Sequence, residues 1–372
     1  LFQALLRIAQ SYAAIHDLPH EPPLPNYYYT MLDLPQGDGQ TFEGLIDCFE
    51  PETPLDRTLI MAAFLTLLWG GSAGARPIFV LTAAGRGHGK TTLAALIGLL
   101  FGGCLSFSKG EDIGVIIQRL LSPEGLKAWM VLIDNLKSLK FSWAEFEALV
   151  TALTISGKAL YIGEASRPNH LTYFLTGNAL ALSTDIAQRS VIVRLGKPTH
   201  TGDWFSSVRD FIIEHRLELI ADMQGILRRK GVPLPQHTRW GEWEDGVLAK
   251  LPHAAETQQL IIARRGESDV EAAMATTIEQ YIEKRLKAHG YDPDQQRLRI
   301  PTDMIAEWFN GATEQNQSVA RASAVLRQMA DEGQLKRLAK AKSHKHGRSF
   351  IWTGVAAGDA DTVAFERRSK RS

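Results

Sequence analysis

The residues with the clearest chemical potential lie in the run Ala84-Gly85-Arg86-Gly87-His88-Gly89-Lys90-Thr91-Thr92. Alternating glycines allow successive backbone N–H groups to turn inward, and a helix that starts at the end of such a run aims its positive pole at the same point. The chemistry is anion binding. Gly85, Arg86, Gly87, His88 and Gly89 form the cradle, with Thr92 in the first turn that follows. Lys90 is placed to reach the β- and γ-phosphates, and the Thr91 hydroxyl to complete a Mg2+ shell. The pattern is the looser form of the P-loop, with Ala84 in place of the first glycine. A glycine-rich turn with an incidental lysine is the bland alternative. The apolar strand before the run and the helix after it argue against that alternative. A second group is Trp129-Met-Val-Leu-Ile-Asp134, an apolar strand ending in a carboxylate. One helix-plus-strand unit beyond the loop, Asp134 is expected to hold the metal.

Elements that could position these groups follow from the hydrophobic pattern. Strand-like runs occur at Ile78–Leu81, Cys104–Phe107, Trp129–Ile133, Thr172–Leu175 and Val191–Leu195. Helical patterns at Lys90–Phe101, Asp112–Leu121 and Ala144–Leu153 fill most of the gaps. Strands alternating with helices predict an α/β fold, a parallel sheet covered on both faces.

The flanks read differently. An amphipathic helix is expected over Phe2–Ile15, then a Pro- and Tyr-rich connector from Glu21 to Tyr29, then a helix from Leu55 to Trp69. Asp203–Leu251 reads as helices around the turn Gly231–Pro235. Beyond Asp269 the order is a helix over Val270–His289, helices at Thr302–Asn310 and Gln317–Glu332, and two strand-like pieces, Leu335–Leu338 and Ser349–Trp352. Three helices and a two-stranded ribbon are the order of a winged helix. The expected division is residues 1–54 as a helical and linker segment, 55–200 as a P-loop core and 201–268 as a helical lid. Residues 269–355 follow as a winged-helix-like domain, and 356–372 as a disordered basic tail.

Bulk properties set limits. The chain has 372 residues, 45% hydrophobic and 22% charged, which suffices for two or three soluble domains. Net charge is zero, so charge balance alone names no polyanionic partner. Cys48 and Cys104 have neither disulfide nor metal-ligand spacing, which fits a reducing cytoplasm. The apolar stretches Leu59–Trp69 and Leu93–Phe101 are too short to span a bilayer, so no membrane partner is expected. The chain begins at Leu1 without a signal-peptide layout and reads as a piece of a longer polypeptide.

Several further runs carry a resemblance: Val131-Leu-Ile-Asp134-Asn135, Leu149–Leu160, Thr172-Tyr-Phe-Leu-Thr-Gly-Asn178 and Leu182–Leu195. Together with the loop they resemble the AAA+ ATPases of phages, plasmids and integrative elements. Those proteins are related to superfamily 3 and D5-like replicative helicases, often fused to a primase. The likeness covers about Leu59 to Pro198 well and the winged helix in outline. It implies ATP and Mg2+ as ligands, DNA (single-stranded or forked) as partner, and a homo-oligomeric ring, a hexamer by analogy. Asn178 would be the polar sensor of the γ-phosphate. Arg189 would be an arginine finger reaching a neighbouring subunit's nucleotide. The plainer alternatives, a turn residue for Asn178 and a solvated helix-end charge for Arg189, are weaker in this context. Arg194, alternating with apolar neighbours, reads as structural.

One departure concerns the acid pair. Many AAA+ enzymes have Asp-Glu at the end of the metal strand, whereas here the second residue is Asn135. An amide accepts no proton, so either Asn135 positions the water or another carboxylate activates it. Members of the mobile-element group can carry Asp-Asn here.

Two regions are candidates for DNA contact. The basic run from Lys336 to Arg348, including Lys340, Lys342, Lys345 and Arg348, falls where a winged helix places its wing, after a helix carrying Arg321 and Arg327. The stretch from Ser156 to Asn169, with Lys158, Arg167 and the following His170, is either a pore-facing hairpin, as in the related helicases, or a surface loop at a subunit interface. Arg228, Arg229 and Lys230 read as a solvated helix end. The expected function is an ATP-dependent helicase or translocase in replication of a mobile element. A DNA-binding adaptor or loader that uses ATP as an assembly switch, and a small-molecule kinase, are the rivals.

Overall fold

The computed structural model describes residues 12, 14–31, 34–83, 85, 87–108, 111–136, 143–159, 163–177, 182–199, 203–331, 333–341, 349–355 and 361–365. It divides into two compact units. The first is Leu1–Leu136, Trp143–Asn178 and Gln188–Arg265; the second is Lys137–Ser142, Ala179–Ala187 and Gly266–Ser372.

The first unit opens with β1 (Ala14–His16) and β2 (Tyr27–Tyr29), a short parallel pair. The helix expected over Phe2–Ile15 is therefore not continued to its C-terminal end; the rest of that span lies outside the described residues. Pairing of Ile15 with Tyr28 turns the Tyr-rich connector into part of the fold, and Tyr27 and Tyr29 are buried. Helices α1 (Gln40–Ile46) and α2 (Pro54–Leu68) follow. Thr53 caps α2 by accepting from the Asp56 N–H, with Pro54 in the first turn, a strong start signal.

Then come β3 (Ile78–Ala83), α3 (Lys90–Leu100), β4 (Leu105–Phe107), α4 (Ile113–Leu120), α5 (Pro123–Lys127) and β5 (Met130–Leu136). Next are α6 (Ala144–Thr151), β6 (Thr154–Ala159), β7 (Gly163–Pro168), β8 (Thr172–Gly177), α7 (Thr184–Gln188) and β9 (Ser190–Leu195). The main sheet runs β4-β5-β8-β3-β9, all parallel. The expected α/β architecture with a parallel sheet is present, and the expected strands match to within a few residues. Strands β3 and β8 are buried throughout, the pattern of a sheet covered on both faces. β6 and β7 form a separate antiparallel hairpin, not part of the main sheet.

Helices α8 (Trp204–Glu214), α9 (Arg216–Leu227) and α10 (Gly241–Gly246) complete the layer around a core that includes Phe64, Phe79, Phe174, Trp243 and Leu219. The next helix, α11 (Ala254–Ala288), begins well before the expected Val270. Its start is fixed by Arg264, which makes two bonds to the fully buried Asp56, at 2.5 and 2.9 Å, and one to the Ile192 carbonyl at 2.8 Å. Arg265 donates to the Ser190 carbonyl at 3.1 Å. These tertiary bonds hold as helix a stretch with weak amphipathic patterning.

In the second unit, β10 (Arg297–Pro301), α12 (Thr302–Thr313), α13 (Val319–Asp331), β11 (Leu338–Lys340), β12 (Ser349–Thr353) and β13 (Thr362–Ala364) follow the end of α11. The sheet order is β11-β12-β10-β13, with β13 parallel to β10. Ile278, Ile282, Leu298, Trp308, Phe309, Leu326 and Trp352 form its core. The tail expected to be disordered is in part ordered: β13 pairs with β10, and Phe365, 7% exposed, packs on His289, Tyr291 and Trp308. The basic residues after it lie outside the described set. No described helix is long and apolar enough to cross a membrane.

Candidate nucleotide site

Strand β3 ends at Ala83 and α3 begins at Lys90, so the glycine-rich loop lies at the C-terminal edge of the sheet, next to its centre. Gly87 and Gly89 have φ of 77° and 78°, and a Cβ at either would project into open space. The glycines are needed for the left-handed backbone, and the space over them is free for a ligand. Gly89 starts α3, and its carbonyl accepts from Leu93 N at 2.7 Å.

Lys90 Nζ donates to the Gly85 carbonyl at 3.0 Å, folding the side chain back over the loop. Burial pulls its ammonium below the ordinary lysine range, and the charge of Asp134 opposes this in part. The Thr91 hydroxyl donates to Asp134 Oδ1 at 2.8 Å. Asp134 thus stands beside the loop although it is 43 positions away in sequence. Its strand β5 is separated from β3 by β8. That intervening strand supplies Thr176, whose hydroxyl also donates to Asp134 Oδ1. Sequence reasoning missed Thr176. The available signal was a threonine near the C-terminal end of a buried strand, two positions before Asn178 in the sequence.

Beside the loop is a cavity of about 330 Å³. Gly87, His88, Gly89, Thr92 and Leu93 form one side; Phe49, Glu50, Leu195, Pro198, Trp204 and Phe205 form the other. The far wall comes from distant parts of the chain. Gly196 N donates to the Glu50 carbonyl at 2.9 Å, Glu52 N to the Arg194 carbonyl at 3.0 Å, and Trp204 Nε1 to the Cys48 carbonyl at 3.0 Å. A mostly apolar slot with a few polar groups next to an anion cradle has the form of a nucleoside site. His88 Nδ1 is buried there without a protein partner among the described residues.

The residues fit a Mg2+–nucleotide in their donor set. Thr91 and Asp134 present hard oxygens side by side, the type Mg2+ prefers. No cluster of three or more His, Cys, Asp or Glu suited to a metal occurs among the described residues. Mg2+ held by these two oxygens would neutralise charge on a bound phosphate.

The other expected site residues are distributed as follows. Arg86 and Asn178 lie outside the described residues, as does the side chain of Asn135, which itself sits in β5. Arg189 precedes β9 at the opposite edge of the sheet, where its carbonyl accepts from Ile78 N at 2.9 Å. It stands on the order of 20 Å from its own loop, given the rise of a strand.

Lys158 is exposed on β6, directly across from Glu164. Arg167, expected to contact DNA, is 3% exposed and donates to the carbonyls of Gly125 and Leu120. That expectation is corrected: the alternation of β7 turns Arg167 inward, and its charge is spent on the ends of α4 and α5. Lys340 is exposed, with Nζ 3.6 Å from Asp331. Lys342, Lys345 and Arg348 lie outside the described residues.

At the N-terminal edge of the sheet is a second polar cluster. His20 stacks on Trp129 with ring centroids 4.2 Å apart, and His16 meets the same ring edge-on at 4.6 Å. His20 Nδ1 and Tyr29 OH are 3.0 Å apart, and His170 Nδ1 is 3.3 Å from Arg76 Nη1. Burial, with help from Arg167, lowers His16 to about 4; burial, with Arg76 and Arg167, lowers His170 to about 3. His20 is also held well below its ordinary value, chiefly by burial. These neutral histidines fasten β1 and β2 to the sheet.

Among solved structures, the apo A form of the C-terminal region of NrS-1 is similar with a TM-score of 0.41 and 10% identity, over 87% of this chain and 76% of that one. Another apo structure of that region, spanning its residues 305–718, gives 0.39 and 10% over 86% and 76%. The JCV helicase gives 0.30 and 17%, over 62% of this chain and 59% of that one. No family model and no curated protein sequence matches the chain.

Proposed function

We propose that this chain is a Mg2+-dependent ATPase of the AAA+ type that acts on DNA as an oligomeric ring, a helicase or translocase of a mobile element. The observation that carries the reading is the convergence of Lys90, Thr91, Asp134 and Thr176 at the C-terminal edge of one parallel sheet, beside a nucleoside-sized slot.

In this reading the slot takes the base and ribose, and the loop takes the phosphates. Lys90 exchanges the Gly85 carbonyl for phosphate oxygen. Thr91 and Asp134 face the metal, whose contribution when bound is to neutralise charge across the phosphates. Thr176 holds Asp134 in orientation, and Asn178, just past it, is placed in sequence to meet the γ-phosphate. Arg189 lies too far from its own loop to serve it, which favours a role at a neighbouring subunit's nucleotide. A ring, a hexamer by the AAA+ resemblance, would bring it there, with a primase as fused or associated partner.

The second unit supports a winged-helix reading in its element order: helix, strand, two helices and two antiparallel strands. Its basic run, with Lys340, Lys342, Lys345 and Arg348, would then follow a DNA backbone. The proposed division keeps residues 55–200 as the core, 201–268 as the lid and 269–355 as the winged-helix domain.

One observation favours the loader or adaptor alternative. On the β6–β7 hairpin, Arg167 is buried and Lys158 faces Glu164, so the described part of the hairpin offers DNA little net positive charge. The test is ATP hydrolysis with and without single-stranded DNA, alongside strand separation. A motor shows DNA-stimulated hydrolysis and unwinding, both lost in Lys90→Ala. In Arg189→Ala, nucleotide binding persists while hydrolysis is lost, and mixing the two inactive variants restores part of it through mixed interfaces. Hydrolysis without unwinding favours the loader. Hydrolysis indifferent to DNA and intact in Arg189→Ala refutes the ring reading.

A further inference from the structure

Strand β5 carries Asp134-Asn135 near its C-terminal end, so the position next to the proposed metal acid offers an amide and no base. A carboxylate able to take a proton must come from another segment at the C-terminal edge of the sheet. The glycine-rich loop after β3 contains no acid. Beyond the other strands the next acids are Glu145, Asp185 and Asp203, each in the first turn of a following helix or just before it, while Glu50 on the far wall of the slot accepts from the Thr199 hydroxyl. After β4 the sequence is Ser108-Lys-Gly-Glu111-Asp112. Asp112 is committed to capping α4, where one oxygen accepts from Gly114 N at 2.8 Å and Val115 N at 3.2 Å.

Glu111 is held differently. Its backbone N–H closes a turn onto the Ser108 carbonyl at 3.2 Å, which brings the residue back over the end of β4. Its Oε1 accepts from Ser108 N at 2.6 Å, and its Oε2 lies 3.3 Å from Arg119 Nη1. Arg119 is itself fixed, with its guanidinium 4.3 Å from the Phe107 ring centre and a bond to the Ser106 carbonyl at 3.2 Å. Phe107 pairs with Ile133, so Ser108 is level with Asp134 on the neighbouring strand. The Glu111 carboxylate, held on Ser108 N, therefore stands at the end of the strand adjacent to the one that carries Asp134. Each carboxylate oxygen uses one acceptor direction on the protein and keeps another for water.

We infer that Glu111 is the carboxylate that orients and deprotonates the attacking water in nucleotide hydrolysis, with Arg119 as its positioning residue. The assignment rests on the nucleotide-site reading above. In the step, the water oxygen forms a bond to the γ-phosphorus as the bond from that phosphorus to the β–γ bridging oxygen breaks. The water proton passes to Glu111 and from there to solvent, leaving nucleoside diphosphate and inorganic phosphate. Asn135 is left with a positioning task that an amide can perform.

The test compares wild type, Glu111→Gln, Arg119→Ala, Glu145→Gln and Lys90→Ala for ATP hydrolysis and for binding of a fluorescent ATP analogue. Glu145, exposed in the first turn of α6, is the control acid. Glutamine keeps the acceptor for Ser108 N, so folding is preserved. Glu111→Gln is expected to lower kcat at least a hundredfold, leave analogue affinity within threefold, and retain unhydrolysed triphosphate after a chase. Arg119→Ala is expected to lower kcat about tenfold with KM unchanged, and Glu145→Gln to stay within twofold. Glu111→Gln with more than a third of wild-type kcat, while Lys90→Ala fails to bind, overturns Glu111 alone. Equal analogue binding by wild type and Lys90→Ala overturns the nucleotide-site reading and Glu111 with it.

Discussion

Replacing Thr176 by valine removes a single hydroxyl at the centre of the site and keeps the shape of the side chain. Thr176 is 1% exposed, so no solvent replaces the bond it gives Asp134 Oδ1. Asp134 then keeps Thr91 as a donor to the same oxygen, at 2.8 Å. A hydrogen bond to a charged group contributes about 1.5–3 kcal/mol. If Asp134 must be held in one orientation during phosphoryl transfer, that amount enters the activation barrier, a loss of about ten- to a hundredfold in kcat. Because valine is well accommodated in a buried strand, the unfolding midpoint should move little. Steady-state hydrolysis over a range of ATP and Mg2+ concentrations is the assay, with Thr176→Ser as the rescue. The expected pattern is a low kcat for valine, near-normal activity for serine and similar stability for both. A valine variant within twofold of wild type, or a serine variant as impaired as valine, would refute the view that Thr176 acts through Asp134.

Arg264→Ala should destabilise the first unit by about 3–5 kcal/mol, because it leaves Asp56 buried with its charge unbalanced. Thermal denaturation should show a loss of roughly 10 °C for a unit of this size, and a drop below 2 °C would contradict the buried pairing. His16 and His170 supply a pH prediction. Their folded values, about 4 and about 3, lie below the unfolded 6.5, so the unfolded chain binds more protons between these limits. Their contribution is complete above pH 6.5 and declines as pH falls toward the folded values, by up to about 1.4 kcal/mol per pH unit for each histidine. Urea unfolding at pH 6.5 and 5.5 should show this dependence, and the His16→Gln/His170→Gln variant should lose about 1.5 protons of it across that interval; an unchanged slope would mean the two rings are not held neutral.

The five main strands, the loop and the helix after it could be located from the sequence because each is set by local rules. Apolar runs of strand length, glycines where φ must be positive, and a helix pattern beginning at Lys90 all lie within short windows. The pairing of Thr91 with Asp134 was expected on the same basis, since motif spacing implies the strand that carries the acid. Elements without a local signature were misjudged. Ala14–His16 is a strand because Tyr27–Tyr29 is present to pair with it, and α11 starts early because Arg264 finds Asp56 on another helix. Phe365 orders a stretch that composition alone marks as tail, because an aromatic recess is available to it.

The sequence by itself determined which chemical groups this protein has: a glycine-rich loop, a lysine and a threonine beside it, and one acid near the end of an apolar strand. The tertiary structure decided which of the remaining residues join them. Thr176 reaches Asp134 only because β8 lies between β3 and β5. Glu111 stands over the sheet edge only because β4 pairs with β5 in that register. Arg167 is withdrawn from the surface by the phase of a hairpin strand. Strand order and register are set by the sum of many long-range contacts, so no window of sequence contains them.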